Sequence, residues 1–137
     1  MEQILKSKNI RVTGFRIQVL ELFEKNKHAL EIHDVEKGLG DHDRITLYRT
    51  IKTFIDKGIL HEIVLPGESK KLALCNTTCH VNEQGHGPHS HEHIHFQCVK
   101  CGHVECIDEV GYPSINLPGY DVQEINVSAK GHCKACC

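Results

Sequence analysis

Near the N-terminus, hydrophobic residues recur at helical spacing in two successive stretches. The first, over residues 13–23, begins with a Thr that can cap a helix and continues with apolar side chains three residues apart, namely Ile17, Leu20 and Phe23. Such spacing places side chains on one face of an α-helix. The second, shorter stretch covers 32–39 and stops at Gly40, a residue type that often ends helices. The pattern predicts a core helix followed by a short amphipathic helix.

A third amphipathic helix is predicted over residues 45–57, between Asp43 as N-cap and Gly58 as C-terminal stop. Its hydrophobic stripe consists of Leu47, Ile51, Phe54 and Ile55. We expect the opposite face to be rich in hydrogen-bond donors and poor in acids, with Thr46, Arg49, Thr50 and Thr53 exposed and Tyr48 and Lys52 at its flank.

Two β-type runs follow, at 59–65 and 70–75, joined by a segment that begins with the turn-forming pair Pro66-Gly67. Three helices and then a hairpin is the element order of a winged helix-turn-helix, in which the last helix enters the DNA major groove. A solvated helix face also carries Thr, Lys and Arg, so this order alone leaves DNA binding and an ordinary surface helix both open.

The second half of the chain has a different pattern. Residues 76–92 are poor in apolar side chains and rich in histidine, whereas 93–98, 103–107 and 121–129 have the composition of strands. The sequence therefore predicts an α+β protein, with helices first and a small sheet later.

Charge and metal-binding residue types divide between the same two halves. Residues 1–75 carry 13 Lys and Arg against 11 Asp and Glu, while residues 76–137 carry 3 against 7. Eight of the 12 histidines and seven of the eight cysteines lie in the second half. This indicates a partner-binding half and a metal-binding half. Since the sequence has neither a stretch of membrane-spanning length nor an apolar signal segment, we expect a cytoplasmic protein with no membrane partner.

Two Cys-x-x-Cys pairs carry the most specific chemistry of the chain. Two thiolates separated by two residues converge on one metal ion, and two such pairs complete a tetrahedral zinc site. The alternatives are a disulfide or a redox-active Cys-x-x-Cys, but a single redox motif does not explain two pairs. We predict a structural zinc site at Cys98, Cys101, Cys133 and Cys136.

Four segments together resemble the ferric uptake regulator (Fur) family of metal-sensing repressors. They are Thr13-Gly14-Phe15-Arg16, Thr46-Leu47-Tyr48-Arg49-Thr50, the stretch from His93 to Gly102, and Cys133-Lys134-Ala135-Cys136. The resemblance extends over essentially the whole chain. It implies a winged-helix DNA-binding domain over 1–75, a hinge with a His-rich loop over 76–92, and a small α/β dimerisation domain with the four-cysteine zinc site over 93–137.

The resemblance also implies roles for individual residues of the first domain. It implies contacts with double-stranded operator DNA for Arg11, Arg16, Thr46, Tyr48, Arg49 and Lys52. The chemistry of two of them suits this role, because the Tyr48 ring can pack on a thymine methyl and the Arg49 guanidinium can bind phosphate or a guanine edge.

A second, regulatory metal site is implied at positions that match the sensing site of the family. Its predicted ligands are His61, Cys75, His93 and His95, and further candidates are His28, His91, Cys79 and Cys106. His93 and His95 are two residues apart on a predicted strand, so their side chains point to the same face and can share an ion. Other histidines of the loop have the simpler interpretation of a solvated segment.

The ligand types bear on the identity of the regulatory metal. Three imidazoles and one thiolate form a tetrahedral, borderline-soft site, which suits Zn²⁺ better than Fe²⁺ or Mn²⁺. Iron-sensing relatives typically have a carboxylate where Cys75 stands. The sequence is therefore closest in character to the zinc uptake regulator branch of the family.

We accordingly expect a zinc-responsive repressor that binds a palindromic operator as a homodimer and takes no small organic substrate. An iron- or peroxide-responsive regulator is the alternative within this class. A zinc buffer or chaperone is the alternative from another class, and the His-rich loop is its main support. An enzyme is not expected, because a catalytic zinc needs an open coordination position, and the His-Glu-x-x-His string at residues 91–95 runs into the predicted strand 93–98, whereas the catalytic motif lies on a helix.

Overall fold

A computed structural model of the protein describes residues 1–75, 94–107, 115–122 and 125–137. The chain divides into two compact units, Met1–Leu74 and Cys75–Cys137, and each is described by itself. Within the described residues, no helix is long and apolar enough to cross a membrane.

The N-terminal unit contains four helices, of which three were predicted. They are α1 (Glu2–Ser7), α2 (Gly14–Asn26), α3 (Ile32–Leu39) and α4 (Arg44–Asp56). The short α1 was not predicted, because six residues make fewer than two turns and show no helical periodicity. It is held by one side chain, Leu5, which is fully buried.

Side chains cap two of the predicted helices at the predicted residues. The Thr13 hydroxyl accepts a hydrogen bond from the Arg16 amide at 3.3 Å, and the Asp43 carboxylate accepts one from the Thr46 amide at 2.9 Å. Each contact satisfies an amide that the first helical turn leaves without a partner. The predicted starts of α2 and α4 are thereby confirmed to within a residue.

The three longer helices bury their apolar faces in one cluster. Its members are Leu5, Ile10, Val19, Leu20, Phe23, Leu30, Val35, Leu47, Ile51, Phe54, Ile59, Leu60 and Leu72. The prediction that Thr50 is exposed was wrong, since this residue is 3% exposed. Thr50 follows Leu47 by three residues and precedes Phe54 by four, so helical geometry places it on the buried face.

The predicted hairpin is present and forms the wing of a winged helix. Strands β1 (Leu60–Ile63) and β2 (Lys71–Leu74) pair in antiparallel register, with Leu60 opposite Leu74. Leu30, just before α3, extends this sheet through two backbone hydrogen bonds with Leu72, at 2.8 and 2.7 Å. The wing is therefore fixed to the start of α3 through the backbone.

A side-chain contact next to this bridge holds the tip of the wing. The Glu31 carboxylate accepts hydrogen bonds from the Ser69 hydroxyl and, at 3.1 Å, from the Lys71 ammonium. The hydrogen bond from Ser69, followed by the hydrogen bond from Lys71 and its positive charge, lowers the pKa of Glu31 below its usual value. The charged form of Glu31 is thus the form that holds the wing.

The C-terminal unit contains a three-stranded sheet in the order β4-β3-β5. Its strands are β3 (Ile94–Cys98), β4 (Val104–Ile107) and β5 (Val127–Gly131). Strand β3 pairs with β4 in antiparallel and with β5 in parallel orientation. The strand predicted over 121–129 was placed too early, because pairing with β3 starts at Val127 and continues to Gly131, opposite Cys98. Helices in the first unit and a sheet in the second confirm the α+β class.

Candidate metal centre and nucleic-acid interface

The parallel pairing of β3 and β5 brings the two Cys-x-x-Cys pairs together. In a parallel pair, both strands end at the same edge of the sheet. Cys98 is the last residue of β3 and lies opposite Gly131, the last residue of β5, so Cys133 follows only two residues later. The Val99 amide donates to the Gly131 carbonyl at 2.8 Å and continues the alignment beyond the strands.

Each Cys-x-x-Cys segment folds into a tight turn. In the first, the Gly102 amide donates to the Cys98 carbonyl at 2.9 Å, and Gly102 has φ of 77°, a left-handed conformation that glycine adopts without strain. In the second, the amides of Cys136 and Cys137 donate to the Cys133 carbonyl, at 2.9 and 3.0 Å. The turns point both sulfurs of each pair toward the other pair.

The four sulfurs have the separation that zinc requires. The Sγ atoms of Cys98, Cys101, Cys133 and Cys136 all lie within 4.8 Å of one another, and those of Cys101 and Cys133 are 3.8 Å apart. Zinc–sulfur bonds of about 2.3 Å in a tetrahedron place neighbouring sulfurs about 3.8 Å apart. The residues present therefore fit a tetrahedral zinc ion.

The electrostatics of the cluster favour a cation. Hydrogen bonds from the backbone amides of Cys101 and Cys133 lower the pKa of Cys98 to about 5, so this sulfur is a thiolate. The hydrogen bond with Cys133 and burial raise the pKa of Cys136 to about 12. Four adjacent thiolates repel one another, and a divalent ion offsets this repulsion and releases the remaining protons.

His95 and Cys106 face each other in the same sheet. They are directly opposite on β3 and β4, and a ring nitrogen of His95 lies within 4.8 Å of the Cys106 sulfur. His95 is buried and Cys106 is half-buried. An imidazole and a thiolate at this distance can ligate one metal ion, and both donors are of the type that zinc binds.

The remaining predicted regulatory ligands are distributed as follows. His61 lies in β1 and is buried, Cys75 directly follows β2, and His28 lies between α2 and α3. Cys75 does not join His95 and Cys106 within the same 4.8 Å limit among the residues that the structure describes. Three further predicted ligands, His93, His91 and Cys79, lie outside the described residues.

Cys106 was predicted only as a further candidate ligand of the regulatory metal, although the Cys-x-x-Cys turn before it indicates which residue it faces. Cys98 and His103 flank the Cys-x-x-Cys turn, and the Cys98 amide donates to the His103 carbonyl at 2.9 Å. In antiparallel strands, each step back from Cys98 matches one step forward from His103. Three steps from this pair therefore place His95 opposite Cys106. The register of a strand pair joined by a short turn is readable in this way from the turn alone.

The outer face of α4 carries most of the predicted DNA-contacting residues. Arg49, Tyr48 and Lys52 are exposed, and the Lys52 ammonium is 4.0 Å from the Asp56 carboxylate one turn later. Thr46 is also exposed, but its hydroxyl donates to the Asp43 carboxylate. Arg49 therefore presents the guanidinium best suited to reach a nucleic acid from the middle of this helix.

The two predicted arginines before and within α2 lie together. Arg16 donates from Nη1 to the Arg11 carbonyl at 2.7 Å, which fixes the segment between them, and Arg11 itself is exposed. The contact orients Arg16 without neutralising its charge, because a carbonyl is an uncharged acceptor.

Comparison with known proteins assigns the chain to a family. Residues 7–128 match the sequence model of the ferric uptake regulator family. The chain belongs to this family. The ferric uptake regulation protein of Staphylococcus aureus is 25% identical to it over 140 residues, which cover 98% of this chain and 93% of that protein.

Solved structures of family members have a similar fold. A zinc uptake regulator in complex with zinc and DNA has a TM-score of 0.66 at 20% identity, over 98% of this chain and 88% of that one. The ferric uptake regulator of Francisella tularensis, solved with iron, has a TM-score of 0.54 at 25% identity, over 93% and 94%. Family members are transcription regulators and not enzymes, so this protein is a metal-responsive transcription regulator. These relatives were solved with different metals, so family membership alone does not identify the regulatory metal of this protein. Its identity has to be inferred from the ligand residues of this chain.

Proposed function

We propose that this family member is a zinc-responsive repressor that binds palindromic operator DNA as a homodimer. The observation that carries the zinc assignment is the pairing of His95 with a thiol, Cys106, rather than with a carboxylate. Nitrogen and sulfur donors suit Zn²⁺, whereas Fe²⁺ and Mn²⁺ sites take more ligands and more oxygen.

DNA binding is proposed for the N-terminal unit. The exposed face of α4 enters the major groove, with Arg49 and Tyr48 at the bases or the nearest phosphates. Arg11, Arg16, Thr46 and Lys52 supply further contacts with the backbone. The support is the winged-helix fold of this unit and the exposure of these basic side chains.

Two zinc ions with different roles are proposed for each chain. The ion held by Cys98, Cys101, Cys133 and Cys136 is structural: it joins the end of the chain to β3 and leaves no open coordination position. The regulatory ion takes nitrogen ligands from His61, His93 and His95 and one sulfur ligand. Cys75 is the sulfur ligand indicated by the sequence, and Cys106 competes for this position because it faces His95.

The regulatory ion is proposed to act by selecting one arrangement of the two units. His61 belongs to the wing and His95 to β3, so an ion bound by both favours the arrangement in which they meet. A ligand shifts such an equilibrium only as far as it binds one state better than the other. Zinc thereby increases the fraction of dimers whose two α4 helices match successive major grooves of a palindrome.

Iron regulation is the second candidate function, since the S. aureus relative is named for ferric uptake regulation. A carboxylate among the ligands would favour it. The three cysteines named as candidate ligands, Cys75, Cys79 and Cys106, supply sulfur instead.

The sulfur ligand is tested by comparing Cys75→Ala and Cys106→Ala for zinc-dependent DNA binding. We expect one of the two to lose most of the zinc-induced gain in affinity, because removal of one of four ligands weakens the ion that couples the units. The structural zinc stays bound in both variants, and His86→Ala, in the His-rich loop, is the control that keeps the wild-type response. If these two variants and Cys79→Ala all keep that response, the regulatory site contains no thiolate and the zinc assignment fails.

A further inference from the structure

A charged pair links the two helices of the helix-turn-helix at the point where α4 begins. Arg44 is the first residue of α4, and its Nε donates to Oε1 of Glu36, on α3, at 3.0 Å. The Glu36 side chain is only 17% exposed, whereas that of Arg44 is 75% exposed. The Glu36 carboxylate is thus largely buried, whereas the Arg44 guanidinium is largely exposed to solvent.

The contact uses one edge of the guanidinium and leaves the other available. An arginine side chain has five N–H donors in a rigid plane, one on Nε and four on the two Nη atoms. The Nη groups of Arg44 make no hydrogen bond or ion pair with any residue in the described part of the chain. Four donors are therefore available for a ligand, on a side chain that the contact with Glu36 restrains.

The position of Arg44 on the helix places these donors beside the proposed DNA-contacting residues. Residues four apart lie on the same side of a helix, so Arg44 is one turn before Tyr48. Residues at the N-terminal end of a recognition helix are those closest to the DNA in helix-turn-helix complexes. Arg44 is not among the DNA contacts predicted from the sequence, because it precedes the predicted start of the helix at residue 45.

We propose that Arg44 binds a DNA phosphate through its Nη groups and that Glu36 acts as the positioning residue for it. This inference rests on the proposed DNA-binding function and adds one charged contact per protomer. Glu36 holds the guanidinium in the orientation needed for binding, so less side-chain freedom is lost when DNA binds. The Glu36 carboxylate would repel the DNA phosphates, but the positive charge of the bonded Arg44 offsets this repulsion.

An ordinary surface ion pair is the competing explanation for the same geometry. Such a pair would connect α3 to α4, contribute little to stability and have no role in DNA binding. The two explanations differ in the salt dependence of DNA affinity, because only a phosphate contact releases counterions from the DNA.

The first experiment measures the salt dependence of binding to a palindromic, A·T-rich duplex in the presence of zinc. Each phosphate contact contributes about 0.9 to the slope of log K against log salt concentration, so Arg44→Ala should reduce the slope by about 1.8 for a dimer. Lys57→Ala is the matched control: it removes one exposed positive charge from the residue after α4, about 20 Å along the helix from Arg44. Equal slopes for Arg44→Ala and Lys57→Ala would overturn the proposal.

The second experiment tests the role of Glu36 with two substitutions. Glu36→Gln removes the charge but keeps an oxygen that accepts from Nε, while Glu36→Ala removes both. We expect Glu36→Ala to bind the duplex several-fold more weakly than Glu36→Gln, and the two to bind equally when Arg44 is also replaced by Ala. The same difference with and without Arg44, or no difference in either background, would show that Glu36 does not act through Arg44.

Two controls separate this inference from the proposed function. Thermal melting of every variant shows whether the N-terminal unit is folded. If Arg44→Ala does not fold, Arg44→Lys takes its place, and we expect it to lose more DNA affinity than the control Lys57→Arg. An equal loss of affinity in these two variants would contradict the proposal. A wild-type protein without zinc-dependent DNA binding contradicts the proposed function. A wild-type protein that binds, together with an Arg44→Ala variant of unchanged slope, contradicts only the role of Arg44.

Discussion

The N-terminal unit buries 13 apolar side chains in one cluster, whereas the described part of the C-terminal unit buries four side chains, of which His95 and Gln97 are polar. The Gln97 carbonyl oxygen has no hydrogen-bond partner within the described residues, which adds a cost to folding. Apolar burial is the main term that stabilises small domains, and a short chain with little of it needs a metal or a partner. Hydrophobic packing therefore folds the first unit, and we expect the second to depend on the zinc proposed at its four cysteines.

The largest expected effect is the loss of the structural zinc. Cys98→Ser should unfold the C-terminal unit, since structural zinc contributes on the order of 10 kcal/mol to small zinc modules. Amide hydrogen exchange should show lost protection in β3 to β5, with protection in α2 and α4 retained. Cys137→Ser is the matched control, because Cys137 is exposed and lies outside the four-sulfur cluster. Cooperative unfolding of a zinc-free protein with β3 to β5 still protected would contradict the comparison.

The converse change removes apolar packing from the first unit. Phe54 is fully buried in the cluster, so Phe54→Ala should cost about 3–5 kcal/mol of stability. The variant should still hold the four-cysteine zinc, as measured by metal content per chain after dialysis. Ile45→Ala, at a 63% exposed position of the same helix, should change little. Zinc loss on Phe54→Ala would mean that the two units fold as one.

A smaller change in free energy is expected for a residue that is proposed to contact DNA and does not contribute to folding. Arg49→Ala should weaken binding to the palindromic duplex by about 1–3 kcal/mol. Its melting temperature should stay close to that of the wild type, because the Arg49 side chain is exposed. A drop in melting temperature comparable to that of Phe54→Ala would place Arg49 in the packing of the first unit instead.

The smallest expected effect concerns the wing. Glu31→Gln keeps hydrogen-bonding groups but loses the charge that attracts Lys71, and a surface pair of this kind, here with Lys71 15% and Glu31 38% exposed, contributes about 0.5 kcal/mol. Because the pKa of Glu31 is lowered in the fold, its contribution is present above the usual Glu range and is lost as the pH falls through and below that range. Amide exchange of β2 should therefore be faster in Glu31→Gln, and the wild type should approach the variant under acid. A difference in β2 exchange between wild type and Glu31→Gln that stays the same under acid would remove Glu31 from this role.

Local signals in the sequence were sufficient for most of the first unit. The helical spacing from Ile17 to Phe23, the caps at Thr13 and Asp43 and the turn at Pro66-Gly67 each determine structure within a few residues. The buried position of Thr50 was missed because residue type was given more weight than helical position. Arg44 was missed because it precedes the predicted start of the helix at residue 45, and its contact with Glu36 joins two different helices.

The second unit was less predictable because its structure depends on pairing between distant strands. The Cys-x-x-Cys spacing indicated the four-sulfur cluster, but neither pair alone shows that β3 and β5 run parallel. The end of β5 is set by its alignment with Cys98, not by its own composition. The pairing of His95 with Cys106 could be read from the turn, whereas the preference for Cys75 came from the family resemblance.

Whether zinc controls DNA binding is tested most directly by titrating the protein, with its four-cysteine site loaded with zinc, on a palindromic A·T-rich duplex with buffered Zn²⁺, Fe²⁺ or Mn²⁺ separately. We expect free Zn²⁺ to restore binding at much lower concentration than either of the other ions, since nitrogen and sulfur donors favour it. We also expect Cys98→Ser to fail with every metal. Restoration of binding by Fe²⁺ or Mn²⁺ at concentrations where Zn²⁺ has no effect would contradict zinc as the regulatory metal.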